Sequence, residues 1–420
     1  SGTFAGLAEG AILSFNGMPL QVSYTGGDGN DVVLSALPDP AARIAVVPAS
    51  VPEDGAGTLV YTVSLSRSVP TPTTVALTVG GTATSGSDYT GGEMSVTVPA
   101  NATSASVTID PTLDRVIEPD ETVILTVVAG PGYTLGESLV ATGTITNDDN
   151  AGVTVAATGG STAVSEGGET DTYTLVLTSQ PTADVTVAIN PNAQLTTSPN
   201  SVVFTAANWN MPETVTVTAV DDAIAEGSHN GSVSHAVTSS DSAYNDLTVD
   251  VLTATITDND TAGISVTPTS GLTTTEAGGT AAFTVVLSSQ PTSEVSIGLS
   301  SSDTTEGTVS PSTLNFTPAN WNQVQTVTVT GVDDPSVDGN VAYSIVTSAA
   351  TSGDSAYNGT NPSDVGVSNS DNDVAGVTVT QSAGGTALTE DGATDTYTLV
   401  LTSQPATNVT VVIAADAQLS

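Results

Sequence analysis

The sequence predicts an all-β chain, a tandem of immunoglobulin-like antiparallel β-sandwiches in an elongated rod, and three observations carry that expectation. Segments repeat with a period of about 110 residues. Within each repeat, short runs alternate apolar and polar residues or are continuously apolar and rich in β-branched types. Between the runs lie clusters of Gly, Pro, Asn and Asp that favour turns, and no segment shows the 3.6-residue apolar stripe of an amphipathic helix. About seven strands in such a length fit two antiparallel sheets packed face to face.

The repeats set the domain boundaries. "TYTLVLTSQP" at 172–181 returns verbatim at 396–405, with "FTVVLSSQP" at 283–291 between them. "NWN" occurs at 208–210 and 320–322, and "SDSAYN" from Ser240 is matched by "GDSAYN" from Gly353. The expected organisation has residues 1–37 as the C-terminal strands of a preceding β-domain. Sandwiches follow at 38–149, 150–260 and 261–373, and 374–420 holds the first strands of an incomplete fourth, as in a piece of a larger protein. Joints of about three to six residues leave little freedom between units.

Strand candidates in the second unit are "YTLVLTS", "DVTVAI", "ETVTVTAV" and "LTATIT". Tyr61, Tyr173, Phe283 and Tyr397 share one strand position and are expected in the core. Tyr244 and Tyr357 suit a hydrogen-bonded corner. Trp209 and Trp321, each in "NWN", are expected to pack inside or between units rather than to stack on a sugar. "GGDGNDVVL" at 26–34 fits a calcium-binding nonapeptide. One copy makes no β-roll, so a Gly-rich hairpin is expected there, with Asp28 and Asp31 in it.

Charge excludes several functions. The formal net charge is −41, there is no Lys, and the only Arg are Arg43, Arg67 and Arg115. Nucleic acid and anionic membranes are poor partners, because neutralising phosphate needs cationic side chains. No apolar run is long enough for insertion into a membrane. With no Cys, thiolate chemistry and disulfides are absent. The two His, His229 and His235, lie in one unit only, so a recurrent His-dependent catalytic site cannot be built and no enzyme is expected.

The acids are placed at the joints, as in "TITNDDNAGVTV", "TITDNDTAGISV" and "SNSDNDVAGVTV". The second unit has Glu166, Asp221, Asp222, Glu226, Asp258 and Asp260; the third has Glu276, Asp333, Asp334, Asp338, Asp371 and Asp373 in the same places. The first has Glu53, Asp114, Glu118, Asp120, Glu121, Asp148 and Asp149, with Asp88 added. If strands run up and down, the first turn, the mid-unit loop and the end of the last strand fall at one pole. Converging carboxylates repel, and a hard cation such as Ca2+, with six to eight oxygen ligands in irregular loops, resolves this. The lack of His and Cys at these recurrent positions disfavours zinc and copper. A single acidic turn needs no ion to explain it, since it also keeps a turn soluble; the recurrence is what points to one.

At the first unit the pattern resembles a known family. "VPEDGAG", "GTATSGSDYT", "DRVIEPDETVIL" and "GTITNDDNAGVTV" are similar to the Calx-beta domain. The resemblance implies a seven-stranded sandwich that binds Ca2+ at one pole, and its ligand positions fall on Glu53, Asp88, Asp114, Glu118, Glu121, Asp148 and Asp149. The second and third units keep the Glu turn, the acidic loop and the Asp-Asn-Asp end but lack Gly-Ser-Asp-Tyr, like bacterial variants in large surface proteins. In the first unit Leu113 replaces one expected acid and Arg115 is brought in, which implies fewer ions there.

The expected role is a structural segment of a secreted bacterial surface protein or extracellular filament, rigidified by Ca2+ near the joints, whose partners are neighbouring domains or further copies. The alternatives are an adhesin segment that binds glycan or protein, and a calcium sensor.

Overall fold

The structure, a computed structural model, describes residues 4–16, 18–26, 31–389 and 391–415. It is all-β. Three two-sheet sandwiches each close around their own core, one containing Tyr61 and Leu125, the next Tyr173 and Val217, the third Phe283 and Val329. Ahead of them, Ile12–Phe15, Met18–Gly26 and Asp31–Ala36 form an antiparallel sheet. Its second and third strands pair antiparallel on either side of residues 27–30, and the expectation for Asp28 lies outside the described residues. Beyond the third sandwich, Val377–Gln381 pairs with Tyr397–Leu401. Tyr397 was expected inside and is 41% exposed, because among the described residues no second sheet covers that strand.

The alternation read from the sequence becomes the inside and outside of each sheet. In Thr170–Leu177, Tyr173, Leu175 and Leu177 are buried and the residues between them are not. Burying a side chain of this size contributes about 1.5–3 kcal/mol. In the second sandwich one sheet runs Val153–Ala157, Thr170–Leu177, Glu213–Ala219, Leu195–Ser198. The other runs Thr162–Ser165, Leu252–Thr257, His229–Ser239, Val185–Pro191, Ser201–Phe204.

This is not the up-and-down arrangement. The short edge strand Thr162–Ser165 runs parallel to the last strand, Leu252–Thr257, and Ser50–Pro52 and Leu272–Thr275 do the same against Val140–Thr146 and Val365–Ser370. A parallel partner needs a long crossover, so the short edge strand, second in each unit, meets the last strand although most of the unit separates them.

Two aromatic expectations are met and refined. The Tyr244 hydroxyl donates to the Ser179 carbonyl at 2.6 Å and accepts from the Ser179 N–H at 3.1 Å; Tyr357 does the same with Ser289 at 2.7 and 3.0 Å. Each ties a long loop to the turn after the central strand. Trp209 and Trp321 lie in turns, partly buried against the second and third cores.

Candidate metal centres at the sandwich poles

Parallel pairing builds the pole. The register sets Pro52 beside Thr146, Ser165 beside Thr257 and Thr275 beside Ser370. One residue further on, Glu53, Glu166 and Glu276 donate their N–H to the carbonyls of Thr146, Thr257 and Ser370 at 3.1, 3.1 and 3.2 Å. Each Glu is thereby held against the acidic end of the last strand. In the second and third units this end folds back on itself. Asp258 Oδ1 accepts the Asp260 N–H, and Asp371 Oδ1 the Asp373 N–H, both at 2.7 Å. The first unit has Asn147 where these have Asp258 and Asp371; Asp148 there accepts the Asp54 N–H at 3.3 Å.

Among the described residues, five groups of three ligand atoms lie within 4.8 Å of one another: Asp88, Glu118, Glu121; Glu166, Asp258, Asp260; Glu166, Glu226, His229; Glu276, Asp371, Asp373; and Glu306, Asp334, Asp338. Glu53, Asp114, Asp148 and Asp149 act on one another electrostatically in the first pole. Asp221 and Asp222 repel the charge on Asp260, and Asp333 that on Asp373, from just outside those groups. Asp221 and Asp333 also accept from Asn259 at 3.1 Å and Asn372 at 3.4 Å.

Burial and like charge raise the carboxyls' affinity for protons. Glu53 is pushed up to about 7 by burial first and then by Asp114, and Glu121 to about 7 by burial and then Asp88. Burial, then Asp258 and Asp222, raise Glu166. The Asn372 N–H pulls Glu276 down, but burial together with Asp371, Asp334 and Asp338 outweighs it. Cationic relief is scarce: Arg115 Nε lies 3.8 Å from Asp54 Oδ2 with its side chain 60% exposed.

Three carboxylate oxygens, Glu53 Oε1, Asp149 Oδ2 and Glu166 Oε2, are buried without any hydrogen-bond partner. An unpaired buried carboxylate is costly, and only a proton or a cation offsets that cost here. The donor set fits a hard divalent ion: in four of the five groups every ligand atom is a carboxylate oxygen.

Glu306 was not singled out in the sequence. It sits five residues before Pro311, as Gln194 does before Pro199, and both precede a short strand, as Asp88 precedes Tyr89–Gly91. Gly307, Leu195 and Tyr89 pair with Gly331, Ala219 and Pro111, the residues that lead into the acidic loops. The "SP" offset links Glu306 to Gln194 alone; Asp88 joins them only through the shared strand register, with different residue types at one structural place.

The acidic loop also reaches the next unit. Asp114, Asp222 and Asp334 each accept, through Oδ1, the N–H two residues on (Val116, Ile224, Ser336), all at 2.7 Å. The carbonyl between, on Arg115, Ala223 or Pro335, accepts the N–H of Gln180, Gln290 or Gln404 of the following unit at 2.7, 2.6 and 2.6 Å. Gln180 and Gln290 are in turn anchored by their side chains to the Ala206 and Pro318 carbonyls, in the Trp209 and Trp321 turns.

Sandwiches joined in series, each with carboxylates gathered at one pole, define a class of tandem β-modules suited to divalent cations. The Calx-beta domain profile matches residues 48–150 and 257–373. The chain belongs to the Calx-beta family, whose members are non-catalytic, calcium-binding β-sandwich modules. Among solved structures it is similar to CBD12 from CALX1.2, at 16% identity over 51% of this chain and 99% of that one, with a TM-score of 0.29. It is also similar to the calcium-binding domain CBD12 of CALX1.1, at 19% identity over 46% of this chain and 79% of that one, with a TM-score of 0.30. These likenesses add nothing to what the sandwiches display themselves. No curated protein sequence matches the chain.

Proposed function

We propose that this chain is a structural segment of a secreted bacterial surface protein or extracellular filament, rigidified by Ca2+ bound at its sandwich poles. One observation carries the reading: the loop that brings Asp114, Asp222 or Asp334 to a pole is the loop whose carbonyl bonds the next unit. An ion drawing that Asp inward fixes the loop, and the fixed loop fixes the joint. Candidate ligands are Glu53, Asp88, Asp114, Glu118, Glu121, Asp148 and Asp149 in the first unit. In the second they are Glu166, Asp221, Asp222, Glu226, Asp258 and Asp260, and in the third Glu276, Asp333, Asp334, Asp338, Asp371 and Asp373. Glu306 joins the third set by its place beside Asp334 and Asp338. The bound ion supplies positive charge and directs the loops; the chain supplies oxygens, of which three buried ones lack any other partner.

An exterior setting is supported by the lysine-free acidic composition. Extracellular modules of this kind bind Ca2+ at about 10⁻⁴ to 10⁻³ M. A glycan-binding role would need exposed Trp209 and Trp321, and both pack against cores. The deciding experiment is small-angle scattering of the chain with Ca2+ and with a chelator, alongside calorimetry of Ca2+ uptake. Calcium should lengthen and stiffen the particle. Unchanged scattering together with no heat of uptake would end the proposal.

A further inference from the structure

Set side by side by strand register, the three poles share a place that each fills differently. His229 pairs with Ile256, Glu121 with Ile145 and Val341 with Asn369, each partner lying one residue before the residue paired with the edge-strand end. Three residues earlier stand Glu226, Glu118 and Asp338, and in front of the short strand stand Gln194, Asp88 and Glu306. The same three positions therefore read Asp-Glu-Glu in the first unit, Gln-Glu-His in the second and Glu-Asp-Val in the third. Only the second offers a nitrogen ligand.

His229 is held as metal-binding imidazoles are. Its Nδ1 lies 2.9 Å from the Gly227 carbonyl, which can only accept, so Nδ1 carries a hydrogen and the lone pair of the neutral ring is on Nε2. That Nε2 is 3.3 Å from Glu226 Oε2. Glu166, 5% exposed, completes the group within 4.8 Å, and its Oε2 is one of the buried oxygens without a partner. Gln194 Nε2 sits at the same place, 2.8 Å from Glu226 Oε2 and 3.4 Å from His229 Nε2. A half-turn of its amide presents the carbonyl oxygen instead, a fourth ligand.

We propose that the second sandwich holds a borderline first-row divalent cation of the zinc class through His229 Nε2, Glu226 and Glu166, next to the oxygen-only group of Glu166, Asp258 and Asp260. One imidazole with two carboxylates suits Zn2+ in a compact site, whereas Ca2+ prefers oxygen alone and more of it. The neighbouring units, with carboxylates only, discriminate the other way. The middle unit thus answers to a second metal, and Asp222, whose charge acts on Glu166, lies in the loop whose Ala223 carbonyl bonds the third sandwich.

The test uses the whole chain, with Zn2+ as titrant in calorimetry under saturating Ca2+ and Co2+ as a spectroscopic probe. Loss of even an outer-shell partner costs metal affinity about 10–100-fold. Hence His229→Gln should weaken Zn2+ uptake at one site by about tenfold or more, and Glu226→Gln likewise, while His235→Gln leaves it unchanged. The visible Co2+ band should vanish in His229→Gln and persist in His235→Gln, with the circular dichroism of all variants matching the parent. No Zn2+ uptake by the parent chain, or uptake that His229→Gln does not weaken, overturns the proposal. Calcium uptake is read separately: His-dependent Zn2+ binding without Ca2+ uptake would sink the calcium reading and leave this one standing, and the reverse result would do the opposite.

Discussion

Glu53 is 7% exposed, faces Asp114, Asp148 and Asp149, and has one oxygen with no partner, so its charge is unwelcome unless a cation meets it. Glu53→Gln keeps the shape and removes the charge. The metal-free first sandwich should then melt higher at pH 7.5, by about 4 °C or more if the relief approaches 1 kcal/mol, while the melting shift on adding Ca2+ shrinks. Calorimetric scans of both forms with and without chelator check this. The pH dependence follows from sign. Glu53 and Glu121 titrate at about 7 in the fold against 4.5 for a free glutamate, so between those values the folded state binds more protons than the unfolded one. Their contribution is fully present below pH 4.5 and lost as pH rises through 7. Asp258 and Asp371 are lowered by backbone N–H bonds and act oppositely, losing their contribution only as pH falls through their still lower folded values. Metal-free protein should therefore lose stability from pH 5 to 7.5. With Ca2+ present that slope should flatten or reverse, because the ligands must be ionised to bind. A metal-free melting temperature that climbs over that window would contradict the assignment. Glu53 was legible in the sequence because "PEDG" is a turn that follows a strand. Glu306 was not, because its equivalents are Asp88 and Gln194, and only the shared strand register reveals them as one position.

The acidic loop and the parallel edge strand are the elements that make the pole work. Strand alternation and the punctuation of turns were readable from residue types, since the central strands, Leu59–Leu65 and Thr170–Leu177 among them, bury alternate side chains. The parallel partnership was not, because edge strand and last strand lie some 90 residues apart and no local pattern reports a long crossover. A consequence of the loop's construction is testable at this scale. Asp222→Ala and Asp334→Ala remove the brace on Ile224 and Ser336, a bond worth about 1 kcal/mol, without touching any core residue. The amides of Gln290 and Gln404, bonded to the carbonyls that the brace positions, should exchange with deuterium about five-fold faster by that energy, with core amides such as Val217 and Val329 unaltered. Core exchange that rises in parallel would mean that the loop holds up the sandwich rather than the joint. Gly331 marks the other side of the same element. A Cβ there would sit 2.3 Å from the Thr275 carbonyl and 2.5 Å from Asn369 Oδ1, so Gly331→Ala should displace the edge strand and weaken Ca2+ uptake in the third unit alone.

At the scale of the molecule, a net charge of −41 sets two explanations of the proposed calcium-dependent stiffness against each other. Calcium could merely screen a polyanion whose units repel, or it could be built into the poles. Screening is a property of ionic strength: the Debye length falls from about 30 Å at 0.01 M to about 10 Å at 0.1 M and about 3 Å at 1 M salt. Sodium chloride should then do whatever calcium does, given enough of it. Site binding needs a cation that takes many oxygens in irregular geometry, which Na+ does not replace and Mg2+, with its tight octahedron and held waters, replaces poorly. In chelator, raising NaCl from 0.02 to about 0.5 M should relax repulsion between units without fixing the joints. The scattering profile should stay that of linked modules with variable angles. Millimolar Ca2+ added at either salt concentration should narrow that distribution, and Mg2+ at the same concentration should not. The braced loops decide between the two: Asp222→Ala with Asp334→Ala removes two acids of 44 and hardly alters screening, yet it unfastens the link from pole to joint. If that double variant stiffens with Ca2+ as the parent does, calcium acts as bulk counter-charge. If the response is lost at both salt concentrations, the stiffness resides in the loops.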